Sequence, residues 1–144
     1  MKDIEYMKKA HEIALKSTCI RAQVGAVIVK DNAIIATGYN NVVGGIKPCN
    51  KVGCLREQLN IPSGERRELC RNICAEQLAI SEAARNGIEL DGAEAYVTTF
   101  PCHICAKLLV SSGISRIYYA KDYPDKLSKD FLNEAGIEYK KIDY

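Results

Sequence analysis

Three cysteines constrain the folding of this chain most: Cys74, in Cys74-Ala75-Glu76, and the pair in Pro101-Cys102-His103-Ile104-Cys105. Zinc favours thiolate and imidazole donors, and a catalytic zinc keeps three protein ligands with a fourth position open. Cys102 and Cys105 are three apart, so on a helical turn they share one face and can grip a single ion. Cys74 is far from them in sequence, so a fold that uses all three must bring two separate segments together. Glu76 lies two residues past Cys74, roughly 200° round a helix of 3.6 residues per turn. It therefore points away from the thiolate and is free to face substrate and water. A lone C-x-x-C also serves structural zinc knuckles and redox pairs. The upstream C-x-E and the proline directly before the C-x-x-C favour the catalytic reading.

Those parts match the signature of zinc deaminases, H-x-E…P-C-x-x-C, in which a non-ligating glutamate acts as acid and base and cysteine can replace the histidine. The chemistry requires a soluble, enclosed site, and composition agrees. A chain of 144 residues is one domain of common size, so residues 1–144 are expected to form a single unit. Apolar residues make up 47% and charged residues 26%, ordinary for a globular protein. No apolar run reaches the 18 or so residues needed to span a bilayer. The N-terminal stretch is charged and amphipathic rather than signal-like. A cytoplasmic location with no membrane partner is expected. With 20 basic against 18 acidic residues, the net charge of +2 is too small to argue for nucleic acid.

Seven cysteines are an odd count, which in a reducing compartment argues for metal rather than a disulfide framework. Setting three aside leaves Cys19, Cys49, Cys54 and Cys70, the number one closed tetrahedral zinc site requires. The alternative is burial of one or two as small hydrophobes.

Hydrophobic spacing predicts an amphipathic helix over 3–17, through Ile4, Met7, Ala10, Ile13 and Ala14. Short β-rich runs at 23–29 and 33–38 flank Lys30-Asp31-Asn32, a hairpin turn. From Asn40 to Leu69 no periodicity persists and glycine and proline recur, which predicts a long loop. Beyond it the pattern gives a helix over 75–86, a strand at 95–99, a helix over 102–112, a strand at 117–120, a helix over 128–135 and a last strand at 138–142. This order predicts an α/β fold, a three-layer α/β/α arrangement around a five-stranded mixed sheet.

In that layout Cys74 precedes one helix, and Cys102 and Cys105 occupy the first turn of another. Free N–H groups and partial positive charge at helix N-termini favour thiolates there. Three thiolates around Zn²⁺ leave a formal charge of −1, a weaker Lewis acid than a histidine-containing set. A nearby cation is expected to offset this, with Arg71 the candidate.

The stretches Arg21-Ala-Gln-Val24-Gly25-Ala26-Val27-Ile28-Val29, Gly38-Tyr39-Asn40, C-A-E at 74–76 and Thr99-Phe100-Pro101-Cys102-His103-Ile104-Cys105-Ala106-Lys107 resemble the deoxycytidylate (dCMP) deaminase family. The match runs over about residues 15–120. It implies a cytidine deaminase-like fold and hydrolytic loss of ammonia from dCMP to give dUMP. It also implies a catalytic zinc, often a second structural zinc, and a homo-oligomer regulated by dCTP and dTTP. By position, Cys74, Cys102 and Cys105 would hold the zinc and Glu76 would move protons. Asn40 would meet the sugar, and the Ala75 backbone N–H the pyrimidine O2.

Three departures stand out. Cys74 replaces the family's usual histidine and resembles the three-cysteine nucleoside deaminases. Leu78 stands where asparagine is common. The loop after Asn40 reads Asn41-Val42-Val43-Gly44-Gly45, without the family's proline, which counts against dCTP regulation. The first two keep a cytidine or deoxycytidine nucleoside deaminase open as an alternative, beside an adenine deaminase acting on tRNA and a non-catalytic zinc scaffold. A 5′-phosphate needs a cation, for which Arg21 is the first candidate and Lys47, Arg66 and Arg67 are alternatives.

Overall fold

The computed structural model describes residues 2–143; the two end residues of the expected 1–144 unit lie outside it. Its elements are α1 (Lys2–Ala14), β1 (Gly25–Lys30), β2 (Ala33–Tyr39), α2 (Cys49–Val52), α3 (Leu55–Gln58), α4 (Ala75–Arg85), β3 (Glu94–Thr99), α5 (His103–Ser111), β4 (Arg116–Lys121), α6 (Lys126–Glu134) and β5 (Glu138–Lys141). The expected long loop is less irregular than its sequence suggests. It holds two single-turn helices, α2 and α3, and a 3-10 turn at Arg67–Leu69. Elements this short carry no apolar repeat for a periodicity argument to detect.

One mixed sheet orders the strands β2-β1-β3-β4-β5. β1 is antiparallel to both β2 and β3, while β3, β4 and β5 run parallel. The hairpin turns on Asp31 (φ 51°) and Asn32 (φ 63°), both left-handed, as a two-residue connection between right-twisted strands requires. Alternation along β1 sends Ala26 and Ile28 to one face and Val27 and Val29 to the other. On the Val27 face α1 packs through Met7, Ala10 and Ile13 against Tyr96 and Tyr118. On the Ala26 face lie α4, α5 and α6, through Ala79, Leu109 and Leu132. The three-layer α/β/α expectation is thus met, with α1 alone on one side. No helix among the described residues is long and apolar enough to cross a membrane.

Two glycines allow the helices to sit this close. A Cβ at Gly25 would strike the Ala10 carbonyl of α1, and one at Gly38 would strike the Ala75 carbonyl of α4. The second contact fixes where α4 begins relative to the sheet. Because β2 and β3 are both antiparallel to β1, they run the same way and finish at one end of the sheet. The first turn of α4 is pressed against β2 near that end, and α5 begins just past the end of β3.

Candidate metal centre and substrate cleft

Local sequence prepares each thiol. Cys74 is the N-cap of α4: its side chain accepts from the Gln77 backbone, and Gln77 Oε1 accepts the Cys74 N–H at 2.7 Å. This reciprocal cap leaves the sulfur at the positive end of the helix. An isolated bridge between Asn41 and Ile73 (Ile73 N–H to Asn41 O, 2.8 Å) pins the approach to Cys74. Cys102 is the N-cap of α5, and Cys105 lies one turn on.

The Sγ atoms of Cys74, Cys102 and Cys105 lie within 4.8 Å of one another, the one such metal-competent group found among the described residues. Cys102 and Cys105 are buried and Cys74 is half-buried. Hydrogen bonds from Cys105 and then Cys74 hold the Cys102 thiol far below its ordinary pKa, at about 2. The bond with Cys102 in turn pushes Cys74 up to about 12, and Cys105 is raised by the same contact. A divalent cation bound among them would favour the thiolate form at all three. The donor set fits zinc: soft sulfurs, converging from two helix ends, at the wall of an open cleft.

Glu76, in the first turn of α4, is only 4% exposed yet lines that cleft. Burial, and secondarily the Cys102 sulfur, raises its carboxyl to about 7. A carboxyl in this condition can hold or release a proton near neutrality.

The cation beside Cys74 is Arg67, not Arg71. Arg67 Nη2 donates to Cys74 Sγ at 2.6 Å and Nη1 to the Tyr123 hydroxyl at 3.2 Å. Burial works against its charge, but Cys74, Tyr123 and Cys102 more than offset this and raise its pKa. Arg71 is exposed. Nearness in sequence misled here, because the 3-10 turn at Arg67–Leu69 faces the Arg67 side chain onto Cys74 while Arg71 is exposed. Nothing in the sequence singles out Arg67 for this position.

Sequence reasoning also missed the support under α5. Asp125, the N-cap of α6, accepts from Ser128 N at 3.3 Å and from His103 N at 2.8 Å, and His103 Nδ1 lies 2.7 Å from it. Ser128 Oγ donates to Pro101 O at 2.6 Å. The start of α6 therefore clamps the turn that carries Cys102.

The cleft measures about 200 Å³. Asn40, Ala75 and Arg21 all line it. Asn40 also ties two backbone segments together, since Oδ1 accepts Val24 N–H and Nδ2 donates to Ala22 O, both at 2.8 Å. Ala75 is the first residue of α4, where backbone N–H groups lack a helical acceptor. Lys47 and Arg66 do not line the cleft; Arg66 pairs with Glu68 at 2.7 Å on the surface. Leu78 lies in a separate groove with Ile35 and Thr37, away from the cleft.

Cys19, Cys49, Cys54 and Cys70 come to the same wall of the cleft, which their sequence spacing did not require. Cys49 and Cys54 are buried. Burial, then the neighbouring Cys70, Cys19 and Cys54, push the Cys49 thiol up. Their sulfurs are less tightly gathered than the first three.

The family described as "Cytidine and deoxycytidylate deaminase zinc-binding region" matches residues 1–121. The chain is 37% identical to ComE operon protein 2 of Bacillus subtilis, over 96% of this chain and 69% of the relative. It is 34% identical to the deoxycytidylate deaminase of Enterobacteria phage T4, over 96% of this chain and 88% of the relative. The Schizosaccharomyces pombe deoxycytidylate deaminase is 33% identical over 94% of this chain, which spans only 42% of that longer protein. Among solved structures, the dCMP deaminase of cyanophage S-TIM5 in complex with dCMP and dUMP superposes with a TM-score of 0.82 at 30% identity, covering 96% of this chain and 95% of that one.

Proposed function

The chain belongs to the cytidine and deoxycytidylate deaminase family of zinc hydrolases, and from that premise we propose that it deaminates dCMP to dUMP and ammonia. The observation that carries this reading is the juxtaposition of three converging sulfurs, two of them from residues that line the cleft, with a buried carboxyl, Glu76, on that same cleft. Relatives whose names specify dCMP deamination, and a neighbour bound to dCMP and dUMP, support the substrate.

Cys74, Cys102 and Cys105 would hold the zinc. Zinc bound there supplies a Lewis acid that makes water a competent nucleophile near neutral pH. Glu76 takes a proton from the attacking water and delivers it to N3 of cytosine as C4 is attacked. It then takes the proton of the new C4 hydroxyl and passes it to the 4-amino group as the C4–N bond breaks, releasing ammonia and leaving the C4 carbonyl, so one carboxyl serves several proton transfers. Its burial excludes bulk water and keeps its proton affinity high. The Ala75 N–H, in the first turn of α4, is offered to the pyrimidine O2. Asn40 has hydrogen-bonding capacity left beyond its two backbone partners and is offered to the sugar. Arg21 is offered to the 5′-phosphate.

Cys19, Cys49, Cys54 and Cys70 are proposed to hold a second, structural zinc. A cytoplasmic setting suits seven thiols with an odd one over, and homo-oligomerisation is carried over from the resemblance. The near-neutral charge gives no support to a nucleic-acid substrate.

Ammonia release from dCMP and from deoxycytidine, measured with purified protein, tests the function. A higher kcat/KM for dCMP, weakening as salt screens the phosphate, is expected. Equal or better turnover of deoxycytidine moves the protein to the nucleoside enzymes.

A further inference from the structure

Arg56 is the side chain whose position the fold explains least. It belongs to α3, is only 5% exposed and lines the cleft that holds Glu76, Cys74 and Cys102. Its buried Nε has no hydrogen-bond partner, and no ion pair involves it among the described residues. A guanidinium is charged at any accessible pH, and a charge removed from water without a partner is costly. A protein keeps such a group where something negative visits it.

A second guanidinium on the same cleft is partly open as well. Arg21 Nη2 donates to Ile61 O at 3.1 Å, while Nη1 is buried and unpartnered. Ile61 links the two arginines, because its N–H donates to Arg56 O at 2.8 Å. Both line one cleft, each with an unused buried donor and outside every ion pair among the described residues; the nearest influence of a carboxylate on Arg56 is that of the exposed Glu68, felt at a distance.

We infer that Arg56, acting with Arg21, binds the 5′-phosphate and is the residue that makes this cleft select a nucleotide over a nucleoside. The inference rests on the dCMP reading above. Planar donors suit phosphate oxygens, and two guanidiniums answer its double charge. The rival duty for Arg56 is to offset a metal centre built from Cys54 and its neighbours, since four thiolates around zinc carry a net negative charge.

Arg56→Gln and Arg56→Lys are compared with wild type in kcat/KM for dCMP and for deoxycytidine. In Arg56→Gln the ratio of the two should fall roughly ten- to hundredfold, the worth of a charge-assisted hydrogen bond, mainly through KM for dCMP. Arg56→Lys, which keeps the charge without the fork, should recover part of it. Added dUMP should raise the Tm of wild type and have much less effect on Arg56→Gln. The ligand-free Gln variant should melt no lower than wild type, because the buried charge it removes belongs to no ion pair and acts only weakly on the exposed Glu68. A folded Gln variant with the wild-type ratio overturns the inference. So does a ligand-free variant that melts lower and loses a zinc ion, which assigns Arg56 to the thiol cluster. Equal turnover of both substrates by wild type removes the nucleotide reading and this inference with it.

Discussion

The Arg67 guanidinium donates to the Cys74 sulfur at 2.6 Å, joining the 3-10 turn of the long connection to the cap of α4. Three thiolates would hold zinc at a net charge of −1, one more negative than a set with a single histidine. A cation bonded to one of those sulfurs withdraws part of that excess.

Arg67→Ala should therefore lower deamination on the order of ten- to hundredfold, as loss of a hydrogen bond between charged groups does. Arg67→Lys should retain more activity, and the exposed Arg71→Ala should cost less than either. Steady-state kinetics on the three variants, with zinc content measured alongside, checks the order. Arg71→Ala proving the worst would return the role to that residue.

Glu76→Ala should keep its zinc and lose activity by at least about a hundredfold, since general acid–base groups contribute on the order of 10²–10⁴. Metal analysis and turnover on the same preparation decide it. Near-normal turnover would remove Glu76 from the mechanism.

Elemental analysis should find two zinc ions per chain, and one in Cys49→Ser. Metal binding contributes directly to folding free energy, so that variant should also melt lower and expose the connection between residues 40 and 70 to protease. A single zinc in fully folded wild type, with Cys19, Cys49, Cys54 and Cys70 all open to a thiol reagent, excludes the second centre.

Asp125→Ala removes caps from both α5 and α6, which should cost about 1–2 kcal/mol. Burial works to raise the Asp125 pKa, but hydrogen bonds from the His103 side chain and backbone and from Ser128 N outweigh it and hold it below the usual value. A depressed carboxylate contributes stability that is present above its unfolded pKa and lost as pH falls. The gap in stability between wild type and Asp125→Ala should thus hold at neutral pH and close as pH drops below about 4. Denaturant melts at several pH values measure it. The variant should also surrender zinc to a chelator faster, because the turn carrying Cys102 has lost its clamp.

The order of the main elements was legible in the sequence because each signal is local. The β-rich run at 23–29, the three-and-four spacing of Met7, Ala10 and Ile13, and glycines closing helices all act within a few residues. The meeting of Cys74 with Cys102 and Cys105 was legible for a similar reason. Caps and first turns are short-range features, and the pattern of C-x-E and P-C-x-x-C has few other uses. Ends shifted by a residue or more, as where α1 stops at Ala14 rather than 17, because the last turn tightens to i→i−3 bonds from Leu15, Lys16 and Ser17 to Glu12, Ile13 and Ala14.

Only the tertiary structure decided which charges meet the site. The path of residues 40 to 70 has no periodicity to betray it, so sequence distance favoured Arg71 while folding delivered Arg67. Arg56 carries no local signal that sets it apart from the other arginines. Its meaning depends on being buried without a partner, and burial is set by elements distant in sequence. The clamp of Asp125 on His103 spans two separate helices in the same way. Local patterns encode helices, strands and ligand spacing, whereas the electrostatics of a cleft is a sum over side chains that only the folded chain brings within reach.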